Sequence, residues 1–428
     1  MKTLTSLALT AALAAGTAAA QNRIDTIRPD APALADYGEM AVGVTTRVFT
    51  MTDQVDVVNT GPEGEIARAD RPLTVEIWYP ALDNTVPGGQ HEAVIRDGTT
   101  TVMLEGYATR GAVPATQGSY PLVILSHGYP GNRWLMGWLG ENLASKGYVV
   151  VSIDHKDSTY SDQAAFGSTL VNRPWDQRYV IDRMAALKDE IGAITDAENA
   201  AVVGYSMGGY GALIYAGAGV TQLATAYEWG APQGLLERNM MGTTEHQSLR
   251  DDRVKAFVAF GPWGNNAGFW DASGLSDIHT PLMLIAGEVD DVSGYEAIRG
   301  IFDGATGITR HLLTFEAANH NAGAPMPAPA ESYAVNETLG WAPFEHYADA
   351  VWDNVRMNNV SAHFVTAYLD LHLKGDTEKA DYLMLQPNAA DGVWAVDDDG
   401  AFTEDHTYWT GFGNRTAAGL RFETKQAE

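Results

Sequence analysis

Six short apolar runs recur along the chain, at residues 122–125, 148–153, 200–203, 256–260, 282–286 and 311–315. They are apolar on both faces, which suits strands buried inside a parallel sheet. Helix-patterned stretches separate them near residues 134–145, 176–194, 207–216 and 295–302. This repeating order predicts an α/β architecture: a mostly parallel, doubly wound sheet with right-handed crossovers and helices on both faces. Reactive groups on such a sheet gather beyond the carboxyl ends of its strands. Upstream, residues 42–50 and 73–79 have strand composition, and residues 83–118 read as loop plus a hairpin. Downstream, residues 359–375 read as a last amphipathic helix.

The third run leads into Ala200-Ala201-Val202-Val203-Gly204-Tyr205-Ser206-Met207-Gly208-Gly209. This is G-x-S-x-G between a strand and a helix, the setting in which a serine is held on a sharp turn with its hydroxyl projecting from the sheet. Gly204 and Gly208 remove side chains that would collide across that turn. The pattern makes Ser206 the candidate nucleophile. A serine needs a base to take its proton. Among the histidines that follow, His320 is best placed, in a small-residue loop just past the last apolar run. The acid that orients the base is expected in Gly287-Glu288-Val289-Asp290-Asp291, after the fifth run. Asp290 is the choice there, with Asp291 and Glu288 as rivals. The expected oxyanion donors are the amides of Met207 and of Tyr129, the latter in the turn Ser126-His127-Gly128-Tyr129 after the first run. His127 itself reads as a structural residue of that turn. Tyr129 and Trp263 are the candidate substrate-binding residues. The chemistry so assembled is ester hydrolysis through an acyl-serine, and it requires no metal or cofactor.

These motifs resemble the platelet-activating-factor acetylhydrolase-like and dienelactone-hydrolase-like branch of the α/β hydrolases. The likeness rests on Val75–Pro80, Ser126-His127-Gly128, Asp154-His155-Lys156-Asp157-Ser158, Arg173-Pro174, Asp176, Gly204–Gly209, Gly287–Asp290 and His320. It implies an α/β-hydrolase fold with lid-like insertions and a serine esterase activity. The chain departs from that branch twice. Dienelactone hydrolases use a cysteine, and this chain has none. Acetylhydrolases carry the acid after the strand that follows the nucleophile, where this chain reads Phe260-Gly261-Pro262-Trp263-Gly264. The bacterial polyester-hydrolase group is also similar, through Tyr129, Trp138, Gly204–Gly209 and Pro262-Trp263. That likeness implies cutinase-like or PET-hydrolase-like activity, with an open cleft. A non-catalytic binding protein on the same scaffold is the reading from another class.

Residues 1–20 carry Lys2, a short apolar stretch and Ala18-Ala19-Ala20, the features of a signal peptide cleaved near Ala20 and of a secreted or periplasmic protein. Without cysteine, stability outside the cell rests on packing alone. With 45% hydrophobic residues the chain can build a large core. The net charge of −27 argues against nucleic acid as a partner. No later run is long enough for a membrane anchor, which leaves a small-molecule or polymeric ester as partner. The expected organisation is an extended leader at 21–40 and one domain at 41–375. Insertions fall near 158–173, 220–253 and 321–356, and an extension at 376–428 packs on the domain. The insertions suggest a covered pocket.

Overall fold

The computed structural model describes residues 22–428; the segment read as a signal peptide lies outside the described residues. Its strands are β1 (Val42–Val55), β2 (Arg68–Pro80), β3 (Gly89–Val94), β4 (Thr101–Gly106), β5 (Thr109–Arg110), β6 (Tyr120–Ser126), β7 (Val149–Asp154), β8 (Thr195–Tyr205), β9 (Val254–Phe260), β10 (Leu282–Gly287), β11 (Arg310–Phe315) and β12 (Leu420–Lys425). Its α-helices are α1 (Gly137–Ser145), α2 (Phe166–Ala185), α3 (Glu190–Ile194), α4 (Met207–Tyr215), α5 (Thr244–Ser248), α6 (Ala272–Ser276), α7 (Tyr295–Gly304) and α8 (Asn354–Leu373).

Five of the six apolar runs lie within strands of β6 to β11 and the second, at 148–153, begins one residue before β7; these six strands pair in parallel throughout. The sheet order is β12-β11-β10-β9-β8-β6-β7-β2-β1-β5. The strands are apolar at consecutive positions because consecutive side chains feed two different cores. Val123, Leu125, Val203, Val258 and Ile285 join one core, packed with residues of α1 and α8. Leu122, Ile124, Val202, Ala259 and Leu284 join the other, packed with residues of α2, α4 and α7. This is the α/β-hydrolase fold, with helices on both faces of the sheet.

Three details differ from the sequence expectation. The helix expected at 176–194 is two helices, α2 and α3, and α2 begins ten residues earlier. Residues 166–173, assigned to an insertion, are therefore its first two turns. Pro174 is the reason for the misreading: an interior proline removes an N–H and normally ends a helix. Here the Leu170 carbonyl freed by Pro174 accepts from Tyr210 Oη at 3.1 Å and Asn239 Nδ2 at 3.0 Å, so the helix runs through. Second, α8 starts at Asn354, where Asp353 caps the Arg356 amide. Third, the C-terminal extension ends in β12, which adds antiparallel to β11 at the sheet edge. Among the described helices none is long and apolar enough to cross a membrane.

Candidate active site

The strand β8 runs straight into α4 through Ser206, whose backbone sits at φ 53°, ψ −112°. A residue with a Cβ in that region is strained by about 1–3 kcal/mol and persists only where its surroundings hold it. The holding bonds are Ser206 N donating to the Phe260 carbonyl at 2.8 Å and Tyr210 N donating to the Ser206 carbonyl at 2.9 Å. The flanking glycines are a matter of space. A Cβ on Gly208 would lie 1.9 Å from the Ser126 carbonyl oxygen, and one on Gly204 would lie 2.2 Å from the Gly208 oxygen.

That close approach brings the turn after β6 against the serine. A Cβ on Gly128 would stand 3.2 Å from Ser206 Cβ. The amides of Tyr129 and Met207 donate to no described residue, so both are free to bind an oxygen. His127 is structural, as expected. Its Nδ1 donates to the Gly128 carbonyl at 2.7 Å and its Nε2 accepts from the His155 amide at 3.2 Å. Burial first, and then the neighbouring Arg173, hold His127 well below the usual histidine range.

Beneath this turn lies a buried polar chain. Asp176 receives Arg71 on both carboxylate oxygens at 2.7 and 2.8 Å and His155 Nδ1 at 2.9 Å. His155 Nε2 meets Ser126 Oγ at 2.9 Å, and Gln177 Nε2 donates at 2.9 Å to both Ser126 Oγ and the Gly208 carbonyl. Burial, followed by the charge of Arg173, pushes His155 down to about 3, so it stays neutral. Burial would raise Asp176, but Arg71 and then His155 outweigh it and hold the carboxyl low. Arg173 closes the cluster by donating to the His127 carbonyl and to Ser158 Oγ. The turn after β6, β2, α2 and the turn at Ser206 are thereby bonded into one unit.

On the opposite wall, Asp290 leaves β10 and His320 follows β11. His320 Nδ1 lies 2.8 Å from Asp290 Oδ2, while Asp290 Oδ1 accepts from the amides of Val292 at 2.9 Å and Ser293 at 2.7 Å. Burial would raise this carboxyl, yet the bond and charge of His320 and then the two amides hold it below the usual range. Neither rival bonds His320. Glu288 pairs with Arg421 at 2.9 Å, and Asp291 is exposed.

Ser206 and His320 line one cavity of about 700 Å³, shared with Gly128, Tyr129 and Asp291. Trp341, Phe344 and His346, from the stretch expected as a third insertion, line it as well. Residues of the other two insertions do not line it. Trp263 is not among the lining residues either. It sits half-buried in an aromatic group with Phe166, Tyr210, Tyr227 and Phe269. Sequence reading missed Arg71 as the partner of Asp176, and it missed Arg96 and His346 at the cavity. His346 is driven down to about 3, first by burial and then by Arg96 and His320. No motif flags these residues, since each reaches its place through a loop or a distant strand.

A family model described as PET hydrolase-like matches residues 98–232, a span that contains the turn at 126–129 and Ser206. Cutinase est2 of Thermobifida alba is 28% identical over 180 residues, 42% of this chain and 45% of that protein. A platelet-activating factor acetylhydrolase of Cavia porcellus is 29% identical over 123 residues, 24% of this chain and 28% of its own. The match therefore spans about half the length of the cutinase and less of the acetylhydrolase. A solved ferulic acid esterase of Streptomyces cinnamoneus superposes with a TM-score of 0.53 at 21% identity, covering 83% of this chain and 94% of that one. Sheet order, strand-to-helix serine turn and this superposition give the chain the α/β-hydrolase fold, and part of its sequence is similar to cutinases and to the PET hydrolase-like family model.

Proposed function

We propose that the protein is an exported serine hydrolase that cleaves a carboxylic ester through an acyl-Ser206 intermediate. The observation that carries this reading is the pairing of His320 Nδ1 with Asp290 at 2.8 Å on a cavity that also exposes Ser206. With the Nδ1 proton committed to Asp290, Nε2 is the nitrogen left to act as base. Ser206 Oγ attacks the carbonyl carbon and its proton passes to His320 Nε2. The carbonyl oxygen becomes an oxyanion held by the amides of Tyr129 and Met207. The C–O bond then breaks, and the leaving alkoxide takes the proton from His320. Water repeats the sequence in reverse roles, releasing the acid and restoring Ser206. Asp290, kept ionised by His320 and then by its amide donors, stabilises the imidazolium formed in each half.

A soluble ester is favoured over a polymer chain. The family match and the cutinase relative support the polyester reading; the soluble-ester reading rests on the cavity of about 700 Å³, lined in part by Trp341, Phe344 and His346, a size that takes a small ligand whole. Export is supported by the charge and apolar pattern of residues 1–20.

Turnover of p-nitrophenyl butyrate and labelling by a fluorophosphonate test the reading. Ser206→Ala is expected to lower kcat by at least about 10⁴-fold and to abolish labelling. A folded Ser206→Ala protein that keeps its activity, or a folded wild type that never labels, overturns it.

A further inference from the structure

The tip of the small hairpin β3–β4 delivers one cation to the same cavity. Asp97 shapes that tip, accepting from the amides of Thr99 at 3.0 Å and Thr100 at 2.8 Å. The Arg96 amide is tied to Tyr347 Oη at 3.1 Å, and Asn336 Nδ2 reaches Asp97 at 3.2 Å. The hairpin is thus clamped to the stretch that carries Trp341 and His346. Arg96 lines the cavity, and its guanidinium carbon lies 5.3 Å from the centre of the Trp341 ring. At that distance the ring is within cation–π range of the guanidinium, an interaction that leaves its N–H groups available to an acceptor.

What is unusual is the missing partner. The chain has 54 acidic residues against 27 lysines and arginines, so an arginine has abundant carboxylates to choose from. Yet Arg96 makes no ion pair and no side-chain hydrogen bond to any described residue. Burial pulls its pKa down, and the tyrosines Tyr160, Tyr347 and Tyr129 act against that. Asp291, Glu345 and Asp349 also line the cavity, but none of them pairs with it. Asp349 is already committed to the amides of Asn319, Val351 and Trp352 at 2.6 to 2.8 Å. A half-buried guanidinium with no protein acceptor, in the cavity that also holds Ser206 and His320, is a receptor for an acceptor carried by the ligand.

We infer that the substrate is an ester bearing a free carboxylate, such as the half-ester of a dicarboxylic acid, and that Arg96 grips that carboxylate while Ser206 attacks the ester. The inference rests on the ester-hydrolase reading above and narrows it. Hydrolysis of such a half-ester consumes water and releases an alcohol and the free diacid. Arg96 touches only the remote carboxylate and takes no part in bond breaking.

The test compares monoethyl adipate with diethyl adipate in the full chain. Arg96→Gln is expected to lower the ratio of kcat/KM for half-ester over diester by about 10- to 100-fold, and Arg96→Lys to restore part of that ratio. An unchanged ratio, or a loss equal for both esters, overturns the inference. If wild type turns over neither ester, fluorophosphonate labelling and p-nitrophenyl butyrate turnover decide the Ser206 reading separately, and calorimetry with adipate decides the Arg96 site. Adipate binding that is lost in Arg96→Gln upholds the carboxylate site. No binding, or binding equal in both proteins, overturns it.

Discussion

At the scale of the residue, the site depends on atoms that are absent. Ser206 adopts its positive φ because β8 must turn into α4 at once, and Gly208 lets the Ser126 carbonyl approach to where a Cβ would sit at 1.9 Å. That contact is backbone on backbone, so no side chain can swing away to relieve it. Gly208→Ala is therefore expected to cost about 2–4 kcal/mol in urea denaturation, the range of a severe local mechanism. Because relief must move the turn proposed to hold the oxyanion away from Ser206, kcat should fall more than KM rises. An alanine variant with unchanged stability and kcat would show that the close approach is not needed.

At the scale of the element, α2 ties the site together. Asp176 on α2 meets Arg71 of β2 and His155 after β7, and the chain continues through Ser126 of β6 to Gly208 of α4. All these groups are buried, so removing one charge leaves its partners unsatisfied in a dry place. Asp176→Ala, which strands the Arg71 guanidinium, is expected to destabilise the protein by about 3–5 kcal/mol. Thermal denaturation checks this, and an Asp176→Asn variant, which keeps an acceptor, should lose less. Equal losses for the two variants would argue that the charge on Asp176 is immaterial. The same helix shows why element boundaries were poorly legible. Pro174 reads locally as a stop, and only Tyr210 and Asn239, distant in sequence, supply the donors that let the helix pass through it.

At the scale of the whole molecule, burial of neutral histidines makes stability depend on pH. Burial drives His155, His346 and His363 down to about 3 each, with nearby cations adding to the effect. An unfolded histidine takes its proton near about 6.5. Below that pH the unfolded chain binds protons that the folded chain refuses, so stability falls as pH falls. Each histidine contributes a slope of up to about 1.4 kcal/mol per pH unit. The lowered carboxyls Asp176 and Asp290 run the same way but act only below the usual carboxylate range, near about 4. The window between about pH 6.5 and 4 therefore belongs to the histidines. Urea unfolding from pH 7.5 to 4.5 should show a steady loss, lessened in His363→Leu; a flat profile would contradict the buried neutral state.

The chain's local chemistry was enough for the parallel sheet and for the serine turn. A strand apolar at consecutive positions can only be buried on both faces, and G-x-S-x-G between strand and helix is a short-range backbone requirement. Placement of Asp290 and His320 followed from the same logic, because each lies in a loop just beyond a strand. What tertiary structure alone decided were pairings between distant segments. They include β12 on β11, Arg71 on Asp176, Trp263 turned out of the cavity and Arg96 turned into it. An edge strand or a lone arginine carries no pattern of its own, since its partner is set by which loops the packed sheet brings together.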